Sequence, residues 1–219
     1  MKKKKRIALI IGLSVIGALT LMVIVPFSVY GIRSLTIDNS YSYLIEDNKL
    51  TDKKIDVPMV KQDISCGYAI IEMLSTYYGN TVTEEQLFDK NKGAISTATT
   101  SGFVNEINRT IENVKYVSKE YLKNDELLLT INQSLQNDKP VAVEWAAKLE
   151  NEWTLHWSIV TGMDQEYIYI NNPYGYKEKI SYDEFISRTT FKAFKNMNLA
   201  YHFGFAFGLF SKNTIIVSK

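Results

Sequence analysis

The chain has 219 residues, 46% of them hydrophobic and 22% charged, a balance that supports one buried core and argues against disorder. A formal net charge of +1 gives no electrostatic support to a nucleic-acid role. One cysteine excludes an internal disulfide. With only two histidines beside it, and no H-E-x-x-H or C-x-x-C spacing, neither a metal nor another cofactor is expected.

The near-neutral total hides an asymmetry. Lys2, Lys3, Lys4, Lys5 and Arg6 carry five positive charges, leaving the rest of the chain net negative. The next 21 residues, Ile7 to Phe27, carry no charge. As a helix rising about 1.5 Å per residue, that run spans a hydrocarbon core of about 30 Å. The pattern predicts a basic cytoplasmic tail over 1–6 and a signal-anchor transmembrane helix over 7–30. Basic flanks stay on the cytoplasmic side, so the remainder is expected outside, as the extracellular domain of a single-pass cell-membrane protein. The alternative is secretion after signal cleavage near Val29-Tyr30-Gly31.

Residues 31–54 are polar and read as a stalk or lead-in, and one domain is expected over 55–219. Val57-Pro58-Met59-Val60 is a short extended piece. From Cys66 the apolar positions Ala69, Ile70, Met73, Leu74 and Tyr77 follow helical spacing, with Ser65 as N-cap and Gly79 at C′. Thr83 to Phe88 opens a short helix with a capping box from Thr83 to Gln86. Further helices are expected over 103–111 and 125–137. The pattern then turns to strands at 140–145, 155–162 and 167–171, with a turn over 163–166 and Asn172-Pro173-Tyr174-Gly175 closing the last. A short helix over 182–188 follows. The aromatic tail from 200 to 217 is read as one or two closing strands. Helices first and antiparallel strands after give an α+β class.

The lone thiol is either an inert core side chain or a nucleophile. Its place in the first turn of a helix favours the thiolate, because the helix dipole is positive there. A nucleophilic thiol needs an imidazole, and that imidazole needs an orienting group. His156 opens a strand whose hairpin partner ends at Asn171 and Asn172, so position 156 is expected near 172. Donors for an oxyanion are the backbone N–H of Cys66 and the side chain of Gln62, four residues upstream. His202, in the aromatic tail, is read as structural or exposed. Trp145, Trp153 and Trp157 are read as packing.

Four stretches in order resemble one family. V-P-M-V-K-Q-D-I-S-C-G-Y-A-I-I-E-M-L-S-T-Y-Y-G (57–79) is similar to the catalytic entrance of the double-glycine, bacteriocin-leader-processing peptidases, family thirty-nine of the papain-like cysteine peptidases. K-P-V-A-V-E (139–144), H-W-S-I-V-T-G (156–162) and Y-I-Y-I-N-N-P (167–173) resemble its later pieces, over roughly 55–190. The resemblance implies a papain-like fold, with a helical part carrying the Cys and an antiparallel sheet carrying the His. It implies Cys66 as nucleophile, His156 as general base and Gln62 in the oxyanion hole. The family's Asp falls on Asn172, an amide that can orient imidazole but brings no charge. The expected function is hydrolysis of peptide or isopeptide bonds in a peptide or protein substrate. Two alternatives stay open: a weakly active or inactive domain that binds a peptide or protein partner, and a transferase using an amine in place of water.

Overall fold

The computed structural model describes residues 2–194 and 197–219. In chain order the elements are α1 (Lys2–Thr36), α2 (Ser42–Glu46), β1 (Lys53–Lys54), α3 (Cys66–Tyr77), α4 (Glu84–Lys90), α5 (Thr100–Thr110), β2 (Tyr116–Lys119), α6 (Asn124–Gln136), β3 (Val141–Leu149), β4 (Glu152–Met163), β5 (Tyr167–Asn172), β6 (Tyr176–Ser181), α7 (Tyr182–Thr189), α8 (Leu199–Ala206) and β7 (Thr214–Ser218). The strands form one antiparallel sheet in the order β2-β7-β3-β4-β5-β6, with β1 paired to β4. This is the α+β architecture expected from the sequence.

Helices cover both faces of the sheet. On one, Val141, Val143 and Trp145 of β3 meet Leu127, Leu128, Ile131 and Leu135 of α6 and Phe185 of α7. On the other, Ala142, Trp157 and Ile159 meet Ala69, Ile70 and Met73 of α3 and Phe103 of α5. A strand buried on both faces reads as a continuous apolar run, which is why V-A-V-E-W-A-A shows no clean alternation. All three tryptophans pack: Trp145 and Trp157 are buried, and Trp153 lies against the cluster around Phe205.

The helix signals act as read. The Ser65 hydroxyl accepts from the Tyr68 N–H at 3.2 Å, and Gly79 takes φ +83° at the end of α3. Thr83 and Gln86 form the reciprocal capping box of α4. Helix α5 starts three residues earlier than expected because the Thr99 hydroxyl caps it through Gly102 N–H, at 3.2 Å. Elements α2, β1, β2 and β6 were not foreseen. Segment 31–54 begins as the last turns of α1 and then lies on the domain, with Leu44 and Leu50 fully buried in its core.

The tail departs from expectation. Its first half is helix α8 and not strand; only Thr214–Ser218 is a strand, between β2 and β3. The Asn198 side chain caps α8 through Ala200 N–H at 2.7 Å. Apolar residues recur every four positions on opposite sides, Leu199 and Phe203 on one and Tyr201 and Phe205 on the other, so helical period overrides the strand propensity of the aromatics.

Helix α1 is long and apolar enough to cross a membrane, as either an anchor or a signal sequence.

Candidate active site

The loop before α3 is held by a buried carboxylate. Glu84, the first residue of α4, accepts the N–H of Asp63 at 3.0 Å, of Ile64 at 3.0 Å and of Ser65 at 2.9 Å. Its own N–H donates to Glu72 of α3 at 2.8 Å. One anion thus orders three consecutive amides and fixes the chain just ahead of Cys66. The same loop is tied to the sheet, since Gln62 N–H donates to Pro173 C=O at 2.7 Å. The Gln62 Oε1 is buried without a hydrogen-bond partner.

Cys66 opens α3 and is partly exposed. Its sulfur lies against the N–H groups of Trp157, Gly67 and Cys66 itself. The Trp157 nitrogen belongs to the His156–Trp157 peptide, so the thiol lies beside the backbone that carries the candidate base. The next residue, Gly67, lets Thr97 pack against the start of α3: a Cβ there would meet the Thr97 side chain at 2.2 Å. Among the described residues, no hydrogen bond joins the thiol to the His156 ring.

His156 and Asn172 do meet. Nε2 of His156 lies 3.0 Å from Oδ1 of Asn172, both residues being buried. The sheet register puts Asn171 opposite Ile159, so 172 falls on the residue two beyond 156, a diagonal neighbour on the same face. Tyr174 stacks on the imidazole with centroids 4.0 Å apart, its hydroxyl bonded to that of Thr154 at 2.7 Å.

The surroundings of Asn172 decide its orientation and thereby the histidine tautomer. Oδ1 accepts from Tyr174 N–H at 2.9 Å, while Nδ2 donates to Glu178 Oε1 at 2.7 Å. A flipped amide would set its NH₂ against an N–H donor and its oxygen against a carboxylate. With Oδ1 fixed as acceptor, His156 must carry its proton on Nε2, leaving Nδ1 with the lone pair. Glu178 continues outward to Arg188, whose guanidinium bonds Oε2 at 2.7 Å and also pairs with Glu184. Arg188 in turn stacks over Trp145 and Trp153.

Burial sets the resting charges. It pushes the Cys66 thiol up to about 11, with the amides of Trp157 and Gly67 pulling the other way. It pushes His156 down to about 4, with the Asn172 bond opposing. The resting pair is therefore thiol and neutral imidazole, and the helix terminus does not outweigh desolvation. Behind the thiol, on β3, burial raises Glu144 to about 8; the Ser211 N–H works against this, and Oε2 has no partner. His202 stands on α8 and, among the described residues, makes no hydrogen bond to these groups.

Glu84, Glu178, Tyr174 and Glu144 were not singled out from the sequence. A lone acid inside the apolar run V-A-V-E-W was the one available signal, at Glu144. Among the described residues no cluster of His, Cys, Asp and Glu suits a metal ion.

A family model described as the peptidase C39 like family matches residues 54–201. None of the curated proteins matches the chain. Among solved structures, a C39-like peptidase from Bacillus anthracis is similar over 77% of this chain and 98% of its own, at 15% identity and a TM-score of 0.51. A double glycine motif protease from an AMS/PCAT transporter, solved with its leader peptide, is similar over 78% of this chain and 96% of its own, at 18% identity and a TM-score of 0.50.

Proposed function

The chain belongs to the peptidase C39 like family, and we propose that it is a membrane-anchored cysteine peptidase working outside the cell on peptide or isopeptide bonds. Cys66 is the nucleophile and His156 the base, with Asn172 orienting the imidazole. The observation that carries this reading is the fixed tautomer of His156. Its Nε2–H is committed to Asn172, which leaves Nδ1 free on the residue just before Trp157, whose backbone N–H lies near the sulfur.

Because both partners rest neutral, the thiol proton moves to Nδ1 as sulfur attacks the carbonyl carbon. Asn172 holds the imidazolium through Nε2–H, and Glu178 behind it supplies the negative charge that Asn172 lacks. The tetrahedral oxyanion takes hydrogen bonds from the Cys66 N–H and the Gln62 carboxamide. Collapse breaks the C–N bond, and the departing amine takes the proton from Nδ1. Water then gives a proton to Nδ1, attacks the thioester and releases the acid, returning Cys66 as thiol. Extended peptides are the expected substrate class, since a fold relative is solved with a leader peptide. The run of Lys2 to Arg6 in the first turns of α1, ahead of its apolar stretch, supports the outward-facing domain.

The test is cleavage of a peptide library by the full chain in proteoliposomes, read by mass spectrometry. Products that vanish with Cys66→Ser support the reading. An intact library, or products indifferent to that change, overturns it. A second reading, a domain that binds peptide without cutting it, is favoured by one observation: burial keeps both reacting groups neutral. Retention of library peptides without products would select it.

A further inference from the structure

Helix α8 presents two opposite stripes. Tyr201 and Phe205 face inward, where Phe205 packs with Phe191, Phe194 and Phe210. Gly204 lets the Phe210 ring approach so closely that a Cβ would meet it at 2.3 Å. The helix is therefore firmly docked. Its outer stripe is nonetheless in the open: Leu199 is 66% exposed, Phe203 39% and Phe207 52%, and Leu209 in the next turn is 50% exposed. Leu199, Phe203 and Phe207 recur every fourth residue, and with Leu209 just past the helix end they exceed the scattered exposure that a water-facing surface carries.

The docking of α8 fixes where this stripe lies. Phe203 meets Phe27 of α1 edge-on at 5.1 Å, and Tyr30 of α1 stacks on Phe205 at 5.7 Å. Phe27 closes the apolar run that begins at Ile7, and Arg33, six residues on, is the first charge after Arg6, so α8 sits at the height where α1 nears the edge of the apolar layer. Charged groups gather just beyond that height. Lys212 lies over the Tyr30 ring at 5.1 Å, Arg33 lies over Tyr121 at 5.1 Å, and Lys192 pairs with Asp38 at 2.7 Å. Aromatic rings at the apolar edge with basic groups above them match the layering of a bilayer's interfacial zone.

We propose that α8 is an interfacial helix whose outer stripe, Leu199, Phe203 and Phe207 with Leu209, is buried in the outer leaflet of the bilayer that α1 crosses. The inference rests on the anchor reading of α1. It makes the domain a body laid on the membrane at two points, and not one swinging from a single tether. Tyr201, on the inner stripe, lies close enough to Tyr174 to influence its ionisation, so the lipid-facing helix also flanks the His156 side of the candidate site.

The test places a tryptophan at each point of the full chain in liposomes and quenches it with lipids brominated at shallow or deep acyl positions. The variants are Phe207→Trp and Leu19→Trp, each read against the unsubstituted chain; two native tryptophans, Trp145 and Trp157, are buried. The inference expects added emission from Phe207→Trp that is quenched most by shallow bromines, and from Leu19→Trp most by deep ones. If Leu19→Trp is quenched and the added Phe207→Trp emission is not, α1 spans and α8 stays in water or against a second copy, and the inference falls alone. If Leu19→Trp is not quenched, the anchor reading itself fails and takes the inference with it.

Discussion

Replacing Asn172 by aspartate is expected to harm this protein. Asn172 Nδ2 donates to Glu178 Oε1 at 2.7 Å, with Asn172 fully buried and the Glu178 side chain only 12% exposed. Asn172→Asp would face two carboxylates across that distance with no proton between them. At charge centres about 4 Å apart and an effective dielectric of 20, the repulsion is about 4 kcal/mol. Protonating one of them at pH 7 instead costs about 4 kcal/mol, from 1.36 kcal/mol per unit over roughly three units. Arg188 already neutralises part of Glu178, and an ionised Asp would bond His156 and Tyr174 N–H more strongly, so a net loss of about 2 kcal/mol is expected. The loss should be largest at pH 8 and vanish toward pH 4, where the extra proton is free. Glu178→Gln should rescue it, because the new amide donates to the new carboxylate; the coupling of the pair should then exceed about 1 kcal/mol. Urea denaturation of the four chains of that cycle, at both pH values, measures it. An Asn172→Asp chain as stable as the parent at pH 8, with nothing gained from Glu178→Gln, would refute the hydrogen-bond assignment at Asn172 and the tautomer derived from it.

Other consequences are as direct. Glu84→Gln should lower stability by about 2 kcal/mol, since an NH₂ would face amides that now share a carboxylate; it should also slow probe labelling of Cys66, whose loop loses its order. Glu144 is held at about 8 in the fold against 4.5 as its ordinary value, so it favours the folded state most below pH 4.5 and this is lost as pH rises through 8. Glu144→Gln should therefore be near neutral at pH 4.5 and stabilise by about 4 kcal/mol at pH 8, from 1.36 kcal/mol per unit over roughly three units, read by thermal melts. His156 shifts the other way, from 6.5 to about 4. Between those values the unfolded chain takes up a proton that the fold refuses, so stability should fall by up to about 3 kcal/mol as pH drops across that window, and His156→Gln should flatten the profile.

The parts legible in the sequence were those written by local rules. Ser65, Thr83 and Gln86 cap helices wherever they stand, and a thiol one residue after an N-cap stays at the helix mouth. Position 172 was reachable from 156 because the turn at 164–165 sets the hairpin, although the register makes the pair diagonal and not direct. What stayed hidden depends on contacts far apart in sequence. Glu84 looks like any acid in a first helical turn, yet it accepts amides some twenty residues upstream. Glu178 stands in Y-K-E-K-I-S, a polar edge strand by composition, and its partners lie on β5 and α7. Strand β7 inserts between β2 and β3, a pairing that no periodicity encodes. In α8 the aromatics promised strand by propensity, while four-residue spacing, the weaker signal in so short a segment, prevailed.

The central claim is that His156 takes the Cys66 proton through Nδ1. The rate at which a peptide electrophile modifies Cys66, followed against pH in the parent chain and in His156→Ala, tests it most directly. The account requires fast modification at pH 7 in the parent, and in His156→Ala a rate at least about 100-fold lower that climbs toward pH 11 with the ionisation of an unassisted thiol. Equal rates with one shared pH profile would contradict it.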